Sequence, residues 1–313
     1  MEGILPLWKE RGMTSHDCVF KLRKILKTKK VGHTGTLDPN VDGVLPICIG
    51  KATKVAEYLT NSGKSYIGEI TIGFSTTTED NSGDQVERKE VLEAPSIETV
   101  DKMMMELTGE IVQVPPLYSA VKVNGKRLYE YARAGESVER PERRAHIYRF
   151  KRVSPIRYDE KNRTASWRFE VDCGKGTYVR TLAVDLGRKL GYPAHMSDLT
   201  RVKSGRFNAA DCLTLEQVSE KAADGNMEAA LFPLEYALEN MERIDISAQM
   251  WEKVKNGAVL SINDFMSGSS FPCVLFFQNQ AVSIYDKHPS KEGLIKPTKV
   301  LRTQVEEQEN EHY

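Results

Sequence analysis

GHTGTLDPNVDGVLPICIGKATK, residues 32–54, sets a run of turn-forming residues directly ahead of the apolar stretch Val44–Ile49. Three glycines and two prolines fall within residues 32–46. A sharp turn into a buried strand accounts for them. It does not call for His33 or Asp38, and three further readings address these. A phosphate loop of the form G-x-x-x-x-G-K-[ST] is not spelled, because no Lys follows the second Gly. A metal site from His33, Asp38 and Asp42 lacks H-x-H or H-E-x-x-H spacing. The last reading is a single nucleophilic or basic carboxylate, Asp38, on a rigid loop. Such a carboxylate needs a partner that aims it, and an Arg fork does this while favouring the ionised form. GTYVRT (176–181) offers Arg180 at a strand-to-helix junction, two residues from Tyr178.

Outward from the loop, the pattern is that of an α+β domain around a mostly antiparallel sheet. Thr14 and Asp17 fit a capping box, and Cys18, Val19, Leu22, Ile25 and Leu26 make one helical stripe. Lys21, Lys24 and Lys27 step along the opposite side. Residues 66–74 alternate as a strand with Tyr66, Ile70, Ile72 and Phe74 on one side, and 166–173 alternate with Trp167, Phe169, Val171 and Cys173 inward. Ser96 caps a predicted helix through Leu107, and another opens near Val179 and ends before Gly191. Beyond about residue 240, VKNGAVL, PCVLFF, AVSIY and GLIKPTKVL read as short strands. The expected division is therefore a domain over 1–240, a β-rich module over 241–303, and a frayed acidic tail at 304–313.

Composition narrows the function classes. An apolar fraction of 40% and a charged fraction of 28% are those of a globular chain of 313 residues. No stretch approaches a membrane span and the N-terminus lacks a signal pattern, so a cytoplasmic location is expected. Cys18, Cys48, Cys173, Cys212 and Cys273 lie far apart without a C-x-x-C pair, which predicts buried thiols and neither disulfides nor a zinc knuckle. Net charge is zero, yet windows 9–30, 122–152 and 180–206 together hold 24 Lys/Arg against 8 Asp/Glu. Clustered basic charge of this kind is either a solvated face or the footprint of a phosphate-backbone binder.

Residues 32–54 are similar, nearly residue for residue, to the signature loop of the bacterial tRNA pseudouridine synthase B family. Further blocks resemble that family in the same order: KERGMTSHD (9–17), KSYIGEITIGFSTTTEDNSGD (64–84), PPLYSAVKVNGKRLYEYARAG (115–135), GKGTYVRTLAVDLG (174–187) and AHMSDLTR (194–201). The resemblance covers about residues 3–240, and it identifies the remainder as a PUA-like module. It implies a mostly antiparallel, mixed-sheet catalytic domain with an RNA-binding flap at about 115–145. It implies isomerisation of uridine to pseudouridine in the T-arm loop of tRNA, at uridine 55, by base flipping and without metal or cofactor. By the same resemblance Asp38 is the nucleophile, Arg180 its ion-pair partner, and Tyr66 the aromatic that stacks on the target base. Tyr178 and Leu199 become pocket walls, Lys9 a basic residue near the site, and His33 the side chain that fills the gap left by the extruded base. Lys21, Lys24 and Lys27 become backbone contacts. The tRNA T stem-loop is the expected partner and a monomer the expected state. The sequence departs from the family pattern at Glu10, Gly174 and Thr200. A non-catalytic RNA-folding protein and a metal-dependent phosphoesterase are the competing classes.

Overall fold

The computed structural model describes residues 1–265 and 270–305. Its main feature is a mixed sheet whose principal strands are β1 (Gly3–Lys9), β2 (Asp42–Ile49), β3 (Lys64–Ile72), β4 (Gly109–Gln113), β5 (Arg143–Arg152), β6 (Thr164–Cys173) and β7 (Ala194–Ser204). They lie in the order β1-β2-β7-β3-β6-β5-β4. Every neighbouring pair on this path is antiparallel except β2 and β7, which run parallel through Asp42↔Thr200 and Gly43↔Arg201. The α+β, mostly antiparallel expectation holds.

Helices α1 (Ser15–Ile25), α2 (Ile97–Met105) and α3 (Val179–Leu190) share a core with the sheet. Cys18, Val19 and Leu22 from α1, Val100 and Met104 from α2, and Leu182, Ala183 and Leu186 from α3 are buried with Leu45, Ile47, Ile70 and Trp167. The capping box forms as the sequence suggests, with Asp17 N–H donating to Thr14 Oγ1 at 3.0 Å and Thr14 N–H to Asp17 Oδ2 at 2.8 Å. The continuous apolar run of β2 has a simple cause: the strand is covered on both faces. Leu45, Ile47 and Ile49 enter the helix-side core, while Val44 and Cys48 enter a second core with Ile4, Leu234, Val274, Phe276 and Ile284.

That second core is where the C-terminal part docks. Its five-stranded sheet runs Glu242–Asp245, Cys273–Phe277, Gln280–Lys287, Leu294–Val300 and Leu260–Ser261 in spatial order. Two reciprocal bonds stitch it on: Lys54 Nζ donates to Val300 O at 2.7 Å and Lys299 Nζ to Lys54 O at 2.7 Å. All five cysteines are free, and all but Cys212 are buried. Among the described residues, no helix is long and apolar enough to cross a membrane.

Three local expectations need correction. Phe74 does not continue the 66–74 strand: Gly73, at φ +120°, breaks it, and Phe74 passes into a ribbon with Gln85–Arg88. VKNGAVL is not a strand, since Val254 ends a helix (Ala248–Val254) and only Leu260 reaches the sheet. Lys27 lies beyond α1, at φ +49°. Residues 306–313 of the expected acidic tail lie outside the described residues.

Candidate active site

Residues 34–41 are pinned on both sides of Asp38. Leu37 N–H donates to Ser15 Oγ at 2.9 Å, and Ser15 Oγ–H donates back to Leu37 O at 3.2 Å. Pro39 O accepts from Gly12 N–H at 2.9 Å and from Lys9 Nζ at 3.2 Å. Val41 N–H closes a turn onto Asp38 O at 3.1 Å, with Pro39 in the position whose φ the ring presets. Leu37 and Val41 plug into the core. The turn reading is therefore realised, and the turn is what holds the Asp38 carboxylate out.

At the following strand the backbone comes too close for any side chain. Gly43 has φ +118°, and a Cβ there would stand 2.1 Å from Arg201 O. Gly68 on β3 serves the same end, since a Cβ would meet Asp198 O at 2.6 Å and Leu199 Cδ1 at 2.9 Å. These two approaches bring β7 against β2 and β3, and with it Leu199 and Arg201 into the wall of the site.

Asp38 opens into a cavity of about 250 Å³ whose lining includes Tyr66, Tyr178, Arg180, Leu199, Lys64 and Arg201. Arg180, only 5% exposed, reaches it from the first turn of α3. Its Nε lies 2.9 Å from Asp38 Oδ2 and its Nη2 donates to Asp38 Oδ1 at 3.3 Å. The other donors bind Thr78 O at 2.8 Å and Tyr118 O at 3.0 Å. The guanidinium is thus fixed by two loops while it forks onto the carboxylate. About a third of the Asp38 side chain (36%) is reachable from the cavity. Protein encloses the rest, and this burial lifts the Asp38 carboxyl above its ordinary pKa, with the Arg180 charge opposing it. Burial likewise raises the hydroxyls of Tyr66 and Tyr178.

Tyr178 precedes α3 and is held by the Gln113 side chain, which accepts from its N–H at 3.0 Å and donates to its carbonyl at 3.1 Å. Asp38, Tyr66, Tyr178, Arg180 and Leu199 are therefore brought together from four separate segments. Lys9 and His33 are not among the cavity-lining residues. Lys9 is wholly buried and donates to the carbonyls of Glu10, Met13 and Pro39 at 2.9, 2.7 and 3.2 Å, so it braces the Asp38 loop from behind. His33 ends a short strand (Val31–His33) paired to β2, and its buried Nδ1 has no hydrogen-bond partner. Burial lowers its pKa, with Arg201 adding to the effect. Lys21, Lys24 and Lys27 are exposed, away from the cavity lining.

Sequence reasoning missed Lys64 and Arg201. Both stand at the ends of blocks quoted above, 64–84 and 194–201, but no chemical role was read from either; Arg201 reaches the site through the β7–β3 register, opposite Tyr66. Asp42, weighed as a metal ligand, instead accepts from Thr200 Oγ1 at 2.6 Å and from Arg11 Nη2 at 3.2 Å. Among the described residues no three His, Cys, Asp or Glu side chains converge as a ligand group.

Residues 23–179 match the family described as TruB family pseudouridylate synthase (N terminal domain), and residues 180–239 match the tRNA pseudouridylate synthase B C-terminal domain. The chain belongs to the TruB family of pseudouridylate synthases. It is 56% identical over 308 residues to the tRNA pseudouridine synthase B of Listeria innocua, covering 97% of this chain and 99% of that one. It is 54% identical to the protein of the same name from Halalkalibacterium halodurans, covering 96% and 98%. Among solved structures it is similar to a chain of a Cbf5-Nop10-Gar1 complex, with a TM-score of 0.72 and 27% identity over 96% of this chain and 85% of that one. The TruB match runs through both the Asp38 loop and the junction that carries Arg180, and it ends just before the five-stranded C-terminal sheet.

Proposed function

We propose that the protein isomerises uridine to pseudouridine at position 55 in the T-arm loop of tRNA, with Asp38 as nucleophile. One observation carries the reading: Asp38 is the sole acidic residue lining the cavity, among the described residues, and Arg180 forks onto it. Two carboxylates flanking a glycosidic bond can direct water to it and release the base. A single carboxylate in a partly enclosed aromatic pocket instead favours breaking C1′–N1, turning the base, and joining C1′ to C5. The hydrogen expelled from C5 leaves as a proton, so the change is redox-neutral.

The target must leave its stack to reach Asp38, at a cost of a few kcal/mol. Tyr66, Tyr178 and Leu199 supply the walls that receive it. His33, kept neutral by burial, fills the gap in the RNA, and Lys21, Lys24 and Lys27 hold the backbone. Lys9 acts as a positioning residue through Pro39. The protein works as a monomer in the cytoplasm and needs no metal. The decisive experiment is tritium release from a tRNA transcribed with 5-tritiated uridine, in the presence of chelator. Release of one equivalent from the T-arm is expected, abolished in Asp38→Asn with RNA binding retained. Release that persists in Asp38→Asn would sink the assignment.

A further inference from the structure

Two buried cations line the cavity without a counter-charge. Lys64 is 9% exposed and Arg201 is 1% exposed. Lys64 Nζ donates to the carbonyls of Thr60 and Ser62, each at 3.0 Å. Arg201 donates through Nε to Val44 O at 2.7 Å and through Nη2 to Gly35 O at 3.2 Å. Among the described residues, no carboxylate lies within 4.0 Å of either. The other buried cations differ. Arg180 pairs with Asp38, Arg302 pairs with Glu235, and Lys9 commits all three donors to carbonyls. Lys64 commits two and keeps one.

Removing a charge from water costs several kcal/mol unless something compensates it. Two such cations flank a single glycine of the Asp38 loop: a Cβ on Gly35 would stand 3.3 Å from Lys64 Cε and 3.8 Å from Arg201 Nη1. The groups packed around Lys64 offer no relief. Arg201 on β7 repels it. Cys173, its partner on β6, is held as a neutral thiol because burial lifts its pKa to about 11. Burial first, and Arg201 second, pull the Lys64 ammonium down to about 8. The wall is therefore positive, with no counter-charge beside it; the Tyr66 hydroxyl, a neutral group, is Arg201's side-chain partner there.

We propose that Lys64 and Arg201 form an oxyanion subsite that takes an anionic oxygen of the target nucleotide. This deepens the functional reading above and rests on it. Two sources share that chemistry: a backbone phosphate beside the target, or the uracil base released as its anion once C1′–N1 has broken. In the second case the electron pair of that bond passes to N1 and is delocalised onto O2 and, through the conjugated C5–C6 bond, onto O4, either of which can reach the cavity wall that Lys64 lines.

The test begins with tritium release by the wild-type protein. If the wild type releases none, the functional reading itself fails; if it does, the remaining measurements address the subsite alone. Lys64→Gln is expected to lose roughly 10- to 100-fold, the span of a charged hydrogen bond. A loss in Kd, matched by an equal loss when the wild type meets RNA with a neutral methylphosphonate beside the target and not compounded in Lys64→Gln, identifies the phosphate. A loss in single-turnover rate at saturating RNA, independent of the methylphosphonate, identifies the base anion. Lys64→Arg, which keeps the charge, should recover much of either. A folded Lys64→Gln with wild-type Kd and rate overturns the proposal. Proton uptake by the wild type provides a check that needs no variant. Burial pulls the Lys64 ammonium down to about 8, so an anion that binds beside it is expected to draw in protons at alkaline pH. Calorimetry in buffers of different ionisation enthalpy reads this for RNA binding in the phosphate case, and an alkaline fall in the single-turnover rate reads it in the base-anion case. Absence of both overturns the subsite.

Discussion

Replacing Arg180 by Lys separates charge from geometry at the centre of the site. Arg180 makes three hydrogen bonds, one each to Asp38, Thr78 O and Tyr118 O, and sets its Nε 2.9 Å from the second carboxylate oxygen. A lysine carries three donors on one atom at the end of a shorter reach, so holding both carbonyls leaves it one donor for the carboxylate and loses the second contact that the planar guanidinium makes. One lost charge-assisted bond is worth about 1.5–3 kcal/mol. At 1.36 kcal/mol per tenfold, this moves the acid limb of the rate profile by about one to two pH units. The sign follows from the role of the charge. Asp38 must be ionised to attack, and burial already holds its folded pKa above the ordinary value. The rate therefore falls as pH drops through that raised pKa, and weaker support for the anion moves the fall to higher pH. Single-turnover tritium release at saturating RNA, measured from acid to neutral pH, reads the limb directly. An Arg180→Lys limb that coincides with the wild type would refute the reasoning, whatever the height of its plateau.

Three other outcomes follow from particular contacts. Gly43→Ala drives a Cβ into Arg201 O at 2.1 Å from a φ of +118° and should cost about 3 kcal/mol; an unchanged melting temperature would show that β2 and β7 can part without penalty. Lys9→Met removes the donor from the carbonyls of Glu10 and Met13 and leaves Pro39 O with Gly12 N–H alone, which should cost about 2 kcal/mol of stability and slow the single turnover. Weakened RNA binding at a normal rate would instead place Lys9 against the RNA. Lys24 and Lys27 changed together to Gln should reduce the slope of log K against log salt by roughly 0.7–0.9 per lost phosphate contact; unchanged slopes would put the RNA path elsewhere.

What could be read in advance was what local pattern encodes. The Thr14–Asp17 cap, the alternation from Trp167 to Cys173 and the helix opening at Val179 are statements about neighbours in sequence, and each is found where expected. Asp38 and Arg180 stand 142 residues apart. Their pairing was anticipated from chemistry and family likeness, since no spacing implies it. Lys64 lies two residues ahead of the alternating run read from Tyr66, and Arg201 is one more basic residue of the 180–206 window. Their convergence depends on the β7–β3 register, with irregularities between Met196 and Asp198 and between Arg201 and Lys203. A register shift of that kind is a long-range property, invisible to a window of a few residues. Phe74 misled because alternation continues past Gly73 in sequence while the backbone does not.

The double burial of β2 bears on how the chain unfolds. The strand that follows the Asp38 loop contributes Leu45 and Ile47 to one core, and Val44 and Cys48 to another completed by Val274, Phe276, Ile284 and Leu301. Cleaving the chain near residue 240 would therefore do more than shed an appendage. It would open the core that covers one face of the strand next to the nucleophile, removing Val274, Phe276, Ile284 and Leu301 and leaving an apolar patch open to water and to aggregation. The boundary visible in sequence is not a thermodynamic seam, and heat should take both parts in a single cooperative transition.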